Sequence, residues 1–489
     1  MNTFSAALSQ VYTADLNITT PATTANGAAT LATSSNALVD LFFVIGSSRK
    51  QDISHKFLSA LSVDPQLTMK MLFWARDVRG GAGERDTFRR LLKLLATSNQ
   101  SLARSVVDLV PEYGRWDDLE CVMDTPLEQD ALRVWASAIH RGEALACKWA
   151  PRKGPLANSL RKKMGVATPK EYRQLVVNNG RSVEQHMCAR QWHNIHYDHV
   201  PSVASARYQK AFSKNDPRRY SDWRQGLQTG ATRVNAGAVY PYDVVKSANQ
   251  GDPQVAVAQW NALPNYLTDD ASILPLVDTS SSMHTPVGGN KNLTCMDVAV
   301  SLGLYIADRQ KGAFSNMFLN FDSRSRIHNL EGDLLSKLTS LRGCQWGGST
   351  NIESAFREIL RVAVLGNVLP KDMPRYLLVL TDMGFDPRFQ VAEQTAFDMA
   401  REIYARHGYA LPTIVWWNLS HRPGGYGGDS NTPVTAHENG TALISGFSPS
   451  IMKSVLASGT VSPYDIMLEA IKRPRYDPVG NAMQGTVSQ

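Results

Sequence analysis

The stretch Leu274–Pro286, LPLVDTSSSMHTP, ends an apolar run in one aspartate and four small hydroxyl side chains. Asp278, Ser280 and Ser282 form a D-x-S-x-S pattern at the expected carboxyl end of a strand. Thr350 lies in WGGSTNIE, a Gly-rich loop at an expected helix start, and Asp382 closes the apolar run RYLLVLTD. All five are hard oxygen donors, with no His or Cys among them. Such a set suits Mg²⁺, with Mn²⁺ and Ca²⁺ as alternatives, over zinc or copper. Two carboxylates leave a divalent cation with residual positive charge, so it holds water or accepts a carboxylate or phosphate from a partner. Capping of the following turn is the simpler alternative for Asp278 alone. Three ligand segments in this order favour the metal.

A second chemistry is carried by charge. Of the 51 Lys and Arg and 44 Asp and Glu, residues 1–265 hold 32 and 23, and residues 266–489 hold 19 and 21. Between Arg141 and Arg233, 18 basic residues face six acidic ones. That is the footprint of a polyanion binder or, equally, of a solvated helical face. Candidate phosphate contacts are Lys148, Arg152, Lys153, Arg161, Lys162 and Lys163 in CKWAPRKGPLANSLRKK, and Arg181, His186, Arg190 and His193 in NNGRSVEQHMCARQWHNIHYDH. Lys210, Lys214, Arg218 and Arg219 in KAFSKNDPRRY complete the set. Lys and Arg neutralise phosphates, and aromatic faces stack on unpaired bases. Trp149 and Trp192 read better as core. His193, His196 and His199 drift around a helix at i, i+3, i+6, which sets them aside as a metal site.

These residues need a scaffold. Residues 1–35 are rich in Thr, Ala and Ser and read as an extended arm. From NALVDLFFVIG to about Asn265 the pattern is helical, with Gly- and Pro-marked turns such as RGGAGER and GRWDDLE, and it suggests an α-solenoid with degenerate HEAT-like pairs. From residue 266, the runs SILPLVD, SNMFLNFD, PRYLLVLTD and LPTIVWWNLS alternate with helical stretches. This predicts a parallel sheet covered on both faces, a doubly wound, Rossmann-like α/β domain over 266–489. Ligands of such sheets bind beyond the strands' carboxyl ends, where Asp278 and Asp382 stand.

The five cysteines (Cys121, Cys147, Cys188, Cys295 and Cys344) lie far apart, as in a reducing cytoplasm. No run reaches the ~18 apolar residues of a membrane span, and the first twenty residues lack a secretory pattern. There is no G-x-S-x-G elbow and no evident Cys/His pair, so an enzyme is not expected.

DTSSSM…GGSTN…VLTDMGF resembles the von Willebrand factor A domain with its metal-ion-dependent adhesion site, whose ligands map onto Asp278, Ser280, Ser282, Thr350 and Asp382. TANGAATLATSSNALVDLFF, ARDVRGGAGERDTFRRLL, YGRWDDL, CKWAPRKG and WHNIHYDHVPSVASARYQKAF together resemble the Ro-like proteins related to the TROVE module, including plant and virus-encoded members. The resemblance implies a ring of HEAT-like repeats over 36–265 that binds single-stranded ends and structured regions of small RNA, followed by the von Willebrand A domain. A cytoplasmic monomer without membrane contact is expected. The alternative is an adhesion or assembly module whose cation docks an acidic side chain of a protein partner.

Overall fold

The computed structural model describes residues 21–23, 29–31, 36–46, 48, 52–287, 290–321, 324–344, 352–382, 400–419, 441–446, 448–457 and 463–484. Within the expected arm, Pro21–Thr23 pairs antiparallel with Ala29–Leu31. The remainder of residues 1–35 lies outside the described residues.

The helical region opens with α1 (Ala37–Ile45), whose N-cap Asn36 accepts from the Leu38 and Val39 backbone N–H groups. It continues through α2 (Ser54–Val63), α3 (Pro65–Arg76), α4 (Arg85–Ser98), α5 (Gln100–Val106), α6 (Glu128–His140), α7 (Ala144–Trp149), α8 (Pro155–Lys163) and α9 (Pro169–Gly180). After these come α10 (Val183–Cys188), α11 (Ser202–Arg207), α12 (Gln209–Asn215), α13 (Pro217–Thr229), α14 (Pro241–Gln250) and α15 (Pro253–Ala262). Pro at the first helical position recurs because its missing N–H has no intrahelical partner there anyway.

The glycine run between α3 and α4 is a tight turn. The Ala82 N–H donates to the Trp74 carbonyl at 3.0 Å, and a Cβ on Gly81 would stand 1.9 Å from that oxygen. Only glycine fits.

The second half carries a six-stranded sheet: β1 (Ile273–Asp278), β2 (Met317–Phe321), β3 (Ile327–Asn329), β4 (Tyr376–Thr381), β5 (Thr413–Asn418) and β6 (Thr441–Ser445). The spatial order is β6-β5-β4-β1-β2-β3, parallel throughout except for the antiparallel edge strand β3. Every residue of β1 and β4 is buried, which is why both read as continuous apolar runs.

Helices α16 (Cys295–Arg309), α17 (Leu334–Gly343), α18 (Ile352–Leu365), α19 (Ile451–Ala457) and α20 (Pro463–Ile471) follow or separate the strands. Gly303 lets α16 lie against one face, where a Cβ would fall 2.6 Å from Val277. The opposite face buries Leu274, Leu276 and Val379 against Phe356 and Ile359 of α18 and Tyr404 of helical residues 400–406.

Two compact units emerge, and they do not follow the contiguous 36–265 and 266–489 division. The sheet unit includes residues up to Val63, so α1 and α2 belong with it, together with Asn265–Ala470. The helical unit spans Asp64–Val239 and Asp243–Pro264, and regains the chain from Ile471 onward, including α21 (Asp477–Met483).

The tie that brings α21 back is the fully buried carboxylate of Asp77. Its oxygens accept from Arg475 through Nε and Nη2 (the latter at 2.8 Å), from the Tyr476 hydroxyl at 3.1 Å, and from the Arg79 and Gly80 N–H groups. Tyr113 and Tyr476 stack at 5.8 Å, and Lys70 pairs with Asp477 at 2.9 Å. Hydropathy cannot reveal a partnership separated by almost 400 residues.

Arg475→Ala leaves the Asp77 charge buried without its cation. It is expected to destabilise the helical unit by about 3 kcal/mol, measured as a loss of midpoint in urea unfolding. Lys453→Ala, which truncates an exposed side chain of α19, is expected to leave the midpoint unchanged.

Candidate functional site

At the carboxyl end of β1, Asp278 has no solvent exposure. Its Oδ1 accepts from the Ser280 N–H at 2.9 Å and its Oδ2 from the Thr381 hydroxyl of β4 at 2.6 Å. Ser280 Oγ and Ser282 Oγ lie 2.9 Å apart, and Ser282 Oγ donates to Asp382 Oδ1 at 3.1 Å. A 3-10 turn over Ser281–His284 aims these hydroxyls. Its apolar residue Met283 is buried, and the Thr285 hydroxyl locks the Ser282 carbonyl at 2.6 Å.

Four of the five expected ligand residues therefore share one hydrogen-bonded cluster. Thr350 lies outside the described residues. Burial pushes the Asp278 carboxyl up to about 6, with the Asp382 charge adding to it and the bonds from Thr381 and Ser280 opposing it. Two buried carboxylates and two hydroxyls form an oxygen-only cradle of the kind hard cations take. Among the described residues no three His, Cys, Asp or Glu side chains gather in a metal-type cluster.

The expected phosphate contacts divide into three groups. Arg152, Lys153, Lys162, Arg181, Arg190 and Arg218 are exposed with no side-chain counter-ion among the described residues, and His193 is exposed as well. Arg152 and Lys153 precede α8 and Lys162 lies in its last turn, so they mark opposite ends of a helix about 13 Å long. Arg181 and Arg190 stand at left-handed backbone positions, φ 39° and 56°, on either side of α10.

Lys210 and Lys214 are exposed on one wall of an open cleft of about 1030 Å³. Arg207 and Lys246 share that cleft and were missed: Lys246 is a lone basic residue in its stretch, and Arg207, although it stands beside Tyr208, is spaced from the basic runs that drew attention. Gln209 fixes the cleft floor by accepting from the Asp252 N–H at 2.7 Å.

Three of the expected contacts have partners within the protein. Lys148 pairs with Glu184 at 3.0 Å. Arg161 donates to the Val166 and Ala167 carbonyls at the end of α8. Arg219 pairs with Asp216 and donates to the Trp192 and Ile195 carbonyls. Lys163 reaches Gln129 at 3.3 Å, and His186 is half-buried. Trp192 packs against the cluster of Ile195, Tyr197, Phe212, Tyr220 and Trp223. Trp149 is half-buried beneath the Arg115 guanidinium, 3.9 Å from its ring. His193 and His199 fall in two separate 3-10 turns, with His196 capping the second, rather than in one helix.

The GRWDDLE motif is more than a capped turn. Asp118 is fully buried and accepts from Arg76 at 2.7 Å, Arg89 at 2.6 Å and the Arg115 N–H at 2.8 Å. One carboxylate thus joins α3, α4 and the turn, which explains both charged motifs as framework.

A Cys/His pair that the sequence did not reveal is also present, with Cys344 Sγ 3.4 Å from His328 Nδ1. Burial raises the thiol and lowers the imidazole, and Cys344 stands at the C-cap of α17, where the helix field opposes a thiolate. That environment does not activate a nucleophile. Among the described residues, no helix is long and apolar enough to cross a membrane.

Comparison with known proteins adds two matches in the same order along the chain. A domain of unknown function (DUF2828) matches residues 24–111 and 159–273, and a second (DUF7788) matches 272–478. The boundary between them falls at the start of β1. "Uncharacterized protein L728" of Acanthamoeba polyphaga mimivirus is 26% identical over 517 residues, covering 93% of this chain and 88% of that protein. The similarity therefore extends across both units.

Thr381→Val removes a hydroxyl from a carboxylate that has no access to water. A loss of about 1–3 kcal/mol in urea unfolding is expected, whereas Thr381→Ser retains most of the stability.

Proposed function

We propose that this chain is a Ro-like RNA-binding protein. In this reading the helical unit is a TROVE-like array of HEAT-like pairs that grips small RNA through its phosphates. The sheet unit is a von Willebrand A domain holding a divalent cation, Mg²⁺ by preference. The observation that carries the reading is the set of exposed cations on the helical unit that have no side-chain counter-ion among the described residues: Arg152, Lys153, Lys162, Arg181, Arg190, Lys210, Lys214 and Arg218. Solvated side chains of one sign raise the local concentration of a polyanion, and each neutralised phosphate adds to the salt dependence of binding.

The strand order, with the first strand at its centre, and the oxygen cluster beyond β1 and β4 support the von Willebrand A reading. The mimivirus relative accords with the virus-encoded branch. We read the protein as a cytoplasmic binding protein and not as an enzyme.

The cation would be held by Asp278, Ser280, Ser282 and Asp382, with Thr350 as the fifth expected ligand. It would supply residual positive charge for an external oxygen. That charge favours one second reading, adhesion to an acidic side chain of a protein partner, with the helical unit as scaffold.

Binding to a labelled small RNA with a single-stranded end is expected to weaken with salt, with a slope of about −0.7 per neutralised phosphate on single strands. Arg152→Glu/Lys153→Glu/Lys162→Glu is expected to lower both the affinity and the slope. Salt-independent or absent RNA binding sinks the reading.

Mg²⁺ is expected to raise the melting temperature of the wild-type protein, the stabilisation reaching about 2.7 kcal/mol at a hundredfold excess over Kd. Ser282→Ala and Asp278→Ala should abolish that response and leave RNA affinity largely intact. A protein partner lost on either substitution or on chelation supports the adhesion reading.

A further inference from the structure

The sheet unit has an arginine cleft that none of the preceding functions uses. It has a volume of about 750 Å³, and its lining includes Arg324 and Arg326 from the turn between β2 and β3, with Glu353, Arg357, Glu358 and Arg361 from the first three turns of α18. The turn is pinned. The Arg326 N–H donates to Asn320 Oδ1 at 2.7 Å and the Ser325 N–H to Ser354 Oγ at 2.9 Å. Ser325 is buried, and its two neighbours are exposed, so Arg324 and Arg326 project from a fixed backbone.

On α18 the charges neutralise one another. Arg357 meets Glu353 at 2.6 Å and Arg361 meets Glu358 at 2.6 Å. Arg324 and Arg326 have no side-chain counter-ion among the described residues. The six charged groups therefore sum to +2, held on planar guanidinium forks that can each engage two oxygens of one anion.

A phosphate monoester carries about −1.5 to −2 at neutral pH, whereas a carboxylate or an internal phosphodiester carries only −1. The cleft opens at the carboxyl end of β2, the parallel neighbour of β1, on the sheet edge where ligands of such folds bind. We propose that this cleft binds a phosphate monoester, and that its source is the terminal phosphate of an RNA chain. The second half of the inference rests on the RNA-binding reading above.

The test compares one oligoribonucleotide bearing a 5′-phosphate, a 3′-phosphate or hydroxyls at both ends, on full-length protein. A terminal phosphate is expected to tighten binding about tenfold, the scale of one charge-assisted hydrogen bond. Arg324→Ala/Arg326→Ala should erase that gain and leave the hydroxyl-ended affinity unchanged, with circular dichroism confirming the fold. Equal affinity for phosphorylated and hydroxyl-ended RNA in the wild-type protein overturns the proposal while the RNA reading stands.

If no RNA binds, the RNA reading and the RNA source both fall. Inorganic phosphate then decides the cleft itself. A saturable thermal shift that disappears in the double variant supports an anion site, and the absence of such a shift overturns it.

Discussion

The buried carboxylate of Asp77 is the constraint on which the helical unit turns. A charge without solvent is stable only when donors surround it, and here they come from two places. The Arg79 and Gly80 N–H groups are local, while Arg475 and Tyr476 arrive from the far end of the described chain. The need to satisfy one aspartate thus places α21 against α3 and α5 and stacks Tyr476 on Tyr113. Asp118 acts in the same way, with Arg76 and Arg89 as its cations. The acidic and basic residues that make this half look uniformly polar in sequence are therefore of two kinds. Some are framework, and others face water.

That distinction explains what the sequence revealed and what it concealed. Periodicity and Gly or Pro punctuation located most helices, because those signals are local. The four apolar strands were legible for the same reason, since burial on both faces leaves a continuous apolar run. Strands β3 and β6 were not, the first being a polar three-residue edge strand and the second a short TALIS segment remote from the other runs. Unit boundaries were the least legible feature. Leu38–Ile45 is apolar enough to be buried anywhere, and nothing in its pattern says that it joins the sheet unit.

The oxygen cluster was the most legible region of either site. Asp278 and Asp382 each end an apolar run, and parallel pairing of β1 with β4 brings those ends together. The hydroxyl of Thr381, which holds Asp278, was hidden inside its own strand. Basic residues were harder to sort, because sequence gives a charge but not its partner. Lys148, Arg161 and Arg219 look the same as Arg152 or Lys162 in one dimension, yet their donors are already engaged.

The discontinuity of the helical unit also has a consequence for how the chain is made. Translation delivers α1 and α2, then α3 to α15, then the strands and remaining helices of the sheet unit, and only afterwards Arg475, Tyr476 and α21. While the ribosome is still synthesising β1 to β6, Asp77 has neither its guanidinium nor its phenol, and α3 has not met α21. The helical unit therefore waits through more than two hundred codons for its closing element, so nascent-chain arrest at successive lengths should find it protease-sensitive until that element leaves the exit tunnel.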